Sequence, residues 1–317
     1  MKMIRHTLSL QGEGCHGRRA RPEVIGTVLL NIKPMIQGTV RMGFLRSSRA
    51  VGRPLTELRA AWDVQFLGQT RGMEGATLLH FEAPSFEAAA PALFDQGLLW
   101  EEGPSRTDTA FDLIGDMLGD VAQKAGDSAR YDTPLLQRVA AFERALRRGI
   151  ETMAFAGHRI SKAHPGVIDR TVIDAARSLA ADTPAPKRVR VQGTLDMIRV
   201  SDHVLELILK DRSRVRAVWT GAAIVAIRDL LNQPVLIEGD AVFRPSGSLL
   251  RIDTEAIAPA SERDSFFSVM PVPGAARIRK SVFLHPQTPT SGYAAIFGQW
   301  PGDETEEELL AALEEIG

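Results

Sequence analysis

The sequence predicts an α+β chain: a mixed α/β region with helices, then a five-stranded β-barrel, then a short amphipathic C-terminal helix. Three observations carry this. Residues 188–257 hold three alternating apolar–polar stretches, a helically spaced stretch and two more alternating stretches, with turn signals between them. The residues before them mix both periods, and the last residues form a Glu- and Leu-rich run at helical spacing. The expected organisation is 1–181 as a mixed α+β domain, 182–187 as a Pro-rich linker, 188–260 as the barrel, 261–292 as a second linker and 293–317 as an acidic tail helix.

Composition sets the bounds. A chain of 317 residues with 44% hydrophobic content suits a soluble protein of two or more domains. No apolar run reaches the length of a membrane span, and the start lacks a signal-peptide core, so a cytoplasmic location is expected. One cysteine, Cys15, excludes an internal disulfide and a multi-cysteine zinc site. The near-zero net charge hides an asymmetry. Residues 1–60 carry 11 Lys and Arg against Glu13, Glu23 and Glu57; residues 61–130 reverse that balance; the last sixteen carry seven carboxylates and no base. Such segregation suggests internal complementarity or charged partners.

In chain order, Thr7–Leu10 reads as a first strand and Gly12–Gly17 as a turn-rich loop. Cys15 beside His16 suggests a nucleophile, but partners adjacent in sequence are not thereby placed for proton transfer, and a bystander thiol is the favoured reading. The loop lacks the Gly-Lys-Ser/Thr ending of a phosphate-cradling loop. Pro22 opens a helix on which Val24, Val28, Ile32, Ile36 and Val40 step by four; Pro34 should kink or divide it, with a hairpin at Lys33-Pro34 as the rival. Arg46, Arg49, Arg53 and Arg59 surround Ser47-Ser48 and Gly52, a group that suits phosphate or the acidic section that follows. Pro54–Trp62 and Ser85–Leu93 read as short helices, Val64–Leu67 and Ala76–Phe81 as strands.

Thr107 is placed to cap a helix from Asp108 to Lys124, with Phe111, Ile114, Met117, Leu118 and Val121 inward. Asp108, Asp112, Asp116 and Asp120 form a like-charged stripe at four-residue spacing, which costs a few tenths of a kcal/mol per pair. A magnesium cluster is one reason for it; docking against the basic N-terminal region is simpler. Thr133 to Arg148 and Val167 to Ala180 read as helices, and Met153–Ala156 as a strand. His158 and His164 flank Lys162 near Asp169, but their spacing matches no common ligand set.

The barrel segment resolves into strands at 188–196, 204–210, 214–219, 235–243 and 249–257, with a helix at 222–231 stopped by Asn232-Gln233-Pro234. Gly193 and Gly239 are expected where strands bend sharply. Three strands, a helix and two strands resemble an OB-fold. That resemblance implies a nucleic-acid interface on strands two and three. Arg188, Arg190, Arg212, Arg214 and Arg216 lie at alternating positions and are candidates for one basic face. Aromatic rings for base stacking are scarce, with Trp219 the one candidate, and a structural barrel with a solvated outer face is the competing reading.

The tail runs Gly298-Gln299-Trp300-Pro301-Gly302-Asp303-Glu304 into a helix whose apolar side is Leu309, Leu310, Leu313 and Ile316. It resembles the C-terminal end of small bacterial proteins that sit beside PIN-domain nuclease toxins and look like their antitoxins. The resemblance implies a non-enzymatic antitoxin-like or regulatory subunit that binds a nuclease through Trp300, Pro301, Asp303, Glu304, Leu309 and Leu313. The chain is longer than such antitoxins and lacks their compact DNA-binding domain. The alternatives are a nucleic-acid-binding barrel and a metal-dependent enzyme using the aspartate stripe. No cofactor or resident metal is expected.

Overall fold

The computed structural model describes residues 3–17, 19–49, 56–94, 103–159, 166–199, 203–221 and 224–274. The expected linker from 275 to 292 and the whole of the 293–317 tail, with Trp300, Pro301, Asp303, Glu304, Leu309 and Leu313, lie outside the described residues, as do Arg53, Lys162 and His164.

Strand β1 (Met3–Gln11) buries Leu8 and Leu10 completely, which stabilises the sheet by roughly 2 kcal/mol per side chain. A two-stranded hairpin follows, β2 (Cys15–His16) and β3 (Arg19–Ala20). Helix α1 (Pro22–Leu45) is continuous through Pro34, so neither a division nor the rival hairpin at Lys33-Pro34 occurs. The proline leaves the Leu30 carbonyl without its usual partner. Leu30, 78% exposed, lies on the solvent side where water can replace the lost N–H. Arg138 Nη1 donates to the Pro34 carbonyl.

Helix α2 (Thr56–Ala61) leads to β4 (Gln65–Arg71) and β5 (Thr77–Pro84), joined by a 3-10 turn at Met73–Gly75. The stretch read as one helix from Ser85 is split into α3 (Phe86–Ala89) and a 3-10 turn, Pro91–Leu93. Helix α4 (Ala110–Ala122) begins two residues later than expected, and its cap is Thr109, not Thr107. The Thr133–Arg148 helix is likewise two pieces, α5 (Thr133–Ala140) and α6 (Glu143–Leu146). Strands β6 (Thr152–Gly157) and β7 (Gly166–Ile168) precede α7 (Arg170–Asp182). Val167 and Ile168 therefore belong to a strand. Asp169 ends it and caps the helix by accepting the Val172 N–H at 2.8 Å.

These strands form an antiparallel sheet in the order β4-β5-β1-β6-β7. Helices α1, α4, α5 and α7 pack with one another, and their apolar sides share one core with Leu8, Leu79, Phe81 and Phe155 of the sheet.

Five further strands, β8 (Lys187–Arg199), β9 (Val204–Ile208), β10 (Arg214–Trp219), β11 (Pro234–Phe243) and β12 (Leu249–Pro259), close into a barrel in the order β10-β12-β11-β8-β9. Strands β10 and β12 run parallel and the other neighbours antiparallel. A 3-10 helix, Ile224–Leu230, stands where a longer helix was expected. The order is consistent with an OB-like barrel. Val191, Leu195, Leu205, Leu207, Val215, Ile237 and Ile252 fill the interior. Gly239 lies at a register shift between β11 and β12, and a Cβ there would meet the Asp253 carbonyl at 2.2 Å. Its place is a bulge that admits no side chain.

The barrel and the helical layer belong to one compact unit, Met1–Gly274. Arg251 of β12 is almost fully buried between them. Its Nη1 donates to the Arg46 carbonyl at 2.8 Å and lies 3.5 Å from Asp132. The β11–β12 turn makes a second attachment: Ser246 N–H donates to the Gly126 carbonyl at 3.1 Å, and Ser246 Oγ and Ser248 Oγ both donate to Asp127.

Candidate functional site

The start of α4 organises the aspartate stripe. Thr109 and Asp112 form a reciprocal capping box: each side chain bonds the other residue's backbone N–H. Asp112 is fully buried, and its other oxygen accepts the Arg159 N–H at 3.0 Å. The Arg159 guanidinium then spans the stripe, donating to Asp108 at 3.1 Å and to Asp116 at 2.8 Å. Those contacts push the Arg159 pKa up, with the hydrogen bond to Asp116 the largest cause. Asp120 pairs with Arg130 at 2.8 Å and accepts from Ser128 Oγ. Among the described residues, Arg159 and Arg130 neutralise the stripe. Arginine forks suit carboxylates two oxygens at a time, and a cation between successive turns removes the like-charge cost.

Behind the stripe, His6 on β1 stacks on Phe111, with centroids 4.7 Å apart. Its Nε2 is 3.1 Å from Thr109 Oγ1, which donates to Asp112 at 2.8 Å. Burial pushes the His6 pKa down to about 4, against an opposing pull from Asp112. His158 Nδ1 lies 3.7 Å from Asp112 and meets that residue, not Asp169, which is occupied as a helix cap. Asp108 is held above the usual carboxylate range, chiefly by burial. Among the described residues, no group of three or more His, Cys, Asp or Glu is arranged to hold a metal ion. The cluster binds a strand, a helix and the end of β6 together, and each carboxylate in it already has a donor.

The barrel arginines fall into two groups. Arg188 pairs with Glu255 at 2.6 Å and Arg190 with Glu238 at 2.8 Å, on the wall made by β8, β11 and β12. Arg214 and Arg216 converge on the buried Glu206 of β9, with Arg216 Nε at 3.3 Å. Arg212 is not on a strand; it sits in the turn before β10 with φ 68°. Of the five arginines expected on one basic face, four carry carboxylate partners and Arg212 lies in a turn. Trp219 is half-buried against the barrel interior, so its ring is not an open stacking platform.

The arginines after α1 diverge as well. Arg46 is buried as the left-handed C-cap of α1 and donates to the Ala129 carbonyl. Ser48 donates through both N–H and Oγ to Asp132. Arg59 instead faces an open groove between α1, α2 and β4. This groove, about 850 Å³, was not anticipated, because its walls are far apart in sequence. Cys15 is buried and its thiol is pushed up by that burial, which opposes the nucleophile reading; His16 points outward. Among the described residues, no helix is long and apolar enough to cross a membrane. No protein-family model, curated protein or solved structure matches the chain.

Proposed function

We propose that the chain is a non-enzymatic interaction protein, an antitoxin-like or regulatory subunit that engages a partner nuclease through its C-terminal segment. The observation that carries this reading is the sequence of residues 303–317: seven carboxylates, no base, and Leu309, Leu310, Leu313 and Ile316 at helical spacing. A helix that short is marginal alone and needs a surface for its apolar side. Trp300, ahead of it, supplies an aromatic anchor of the kind that dominates such interfaces. The commitment of Asp108, Asp112, Asp116 and Asp120 to caps and arginines supports a scaffold role for the body. Affinity capture from the native host tests the reading. The full chain should retain a nuclease, and a chain ending at Pro289 should not; capture by both would overturn it.

A second reading, a barrel that binds single-stranded nucleic acid, is favoured by the OB-like strand order with Arg214 and Arg216 on the β9–β10 wall. It requires steep salt dependence, and a large loss of binding on joint Arg214→Ala and Arg216→Ala substitution.

A further inference from the structure

The groove between α1, α2 and β4 has an apolar lining with basic side chains spaced along it. Ile32, Ile36, Trp62 and Phe66 supply the apolar part. Lys33, Arg41 and Arg59 supply the charge, against a single lining carboxylate, Asp63. None of the three cations has an ion-pair partner among the described residues.

Arg41 is the most informative. Its guanidinium lies over the Trp62 ring, 4.9 Å from the centroid, and its Nε is buried without an acceptor. A buried donor left unpaired is destabilising. Burial, and then the neighbouring Arg138, lowers its pKa. A carboxylate arriving in the groove would meet the guanidinium charge and offset the repulsion from Arg138.

Spacing identifies the ligand. Lys33 and Arg41 are eight residues apart on one helix, about 12 Å along the axis, so they do not converge on a single phosphate. They match carboxylates about two helical turns apart on a facing segment. The α1 wall from Leu29 to Arg41 is about 18 Å long, the length of about twelve helical residues. Phe66, 45% exposed, extends the apolar surface onto the open edge of the sheet.

We propose that this groove is a docking site for an acidic amphipathic helix of about twelve residues from a protein partner, with Arg41 and Lys33 taking its carboxylates and Ile32, Ile36, Trp62 and Phe66 taking its apolar side. The site lies wholly within residues 29–81 and does not depend on the reading of the C-terminal segment.

The test is fluorescence anisotropy with the full-length protein and a labelled 15-residue helical peptide, Glu on one face and Leu and Trp on the other. A matched peptide with Lys for Glu is the control. The proposal expects the acidic peptide to bind at least tenfold more tightly than the basic one. Lys33→Glu with Arg59→Glu, two exposed side chains, should abolish that preference without moving the thermal midpoint. Arg41→Gln should weaken the acidic peptide at least fivefold and leave the basic one unchanged. Equal binding of both peptides, no binding, or indifference to the charge reversal would overturn it. So would a concentration-dependent dimer lost on charge reversal, which would give the groove to a second copy of the chain.

Discussion

Arg251 Nη1 of the barrel lies 3.5 Å from the Asp132 carboxylate that caps α5, and both side chains are almost fully buried. Asp132 also accepts from Ser48 and from the Leu135 N–H, while Arg251 is forked onto Asp253. Removing one partner of a buried pair leaves the other uncompensated, at about 3–5 kcal/mol. Arg251→Ala should therefore lose about 3 kcal/mol, the lower end, because Asp132 keeps its neutral donors. Urea unfolding should separate into two transitions as the barrel loosens from the helical layer. A single unshifted transition would show that the ion pair is not what joins them.

His6 gives a pH dependence. Its folded pKa, about 4, lies below the ordinary value of 6.5, so between those pH values the unfolded state binds the extra proton. Stability then rises with pH in that window: the contribution is full above pH 6.5 and is lost as pH falls toward 4. The loss should be a few kcal/mol. The difference in urea midpoint between the native chain and His6→Phe should change steeply across that interval and be flat above pH 7.

Thr109→Ala removes the helix cap and the group that links His6 to Asp112. A lost N-cap costs about 1–2 kcal/mol. Thr107→Ala, two residues outside the capping box, should cost less than half as much. Thermal denaturation of the two variants side by side distinguishes them.

Gly239→Ala places a Cβ 2.2 Å from the Asp253 carbonyl and 2.8 Å from Thr254 Cα, both backbone atoms that cannot turn aside. Overpacking of this kind costs about 3 kcal/mol or more. The loss should appear as weakened amide-exchange protection along β11 and β12, with the five-stranded sheet unaffected.

Glu206→Gln releases Arg214 and Arg216 from their shared carboxylate. Should the barrel bind single-stranded DNA, this variant should bind more tightly at low salt, and its affinity should fall more steeply with added salt. Unchanged affinity would place these arginines in a structural role.

The barrel was legible in the sequence because its strands alternate between a packed interior and an outer face, and that period survives in local text. Arg214–Trp219 is found with the bounds expected. The five-stranded sheet was not, because β1 lies between strands that begin at residues 77 and 152, and pairing over such distances leaves no periodic trace. Arg159 was missed as the partner of the stripe for the same reason: it is 43 residues from Asp116 and 51 from Asp108. The cap, in contrast, was readable. Thr109 has an acid three residues on, Asp112, whereas Thr107 is followed at that spacing by Ala110.

The clasp formed by the β11–β12 turn and Arg251 sets an order of events during synthesis. Ser246 meets Asp127 across 119 residues, and Arg251 meets the Arg46 carbonyl across 205. Arg251, which will face Asp132, is added to the chain 119 residues after it. The helical layer must therefore first assemble with that carboxylate unpaired by Arg251, and the last strand of the barrel completes its polar interior. Contacts so distant in sequence form late and slowly, so a ribosome stalled before β12 should display a helical layer that is folded in outline and unusually sensitive to protease.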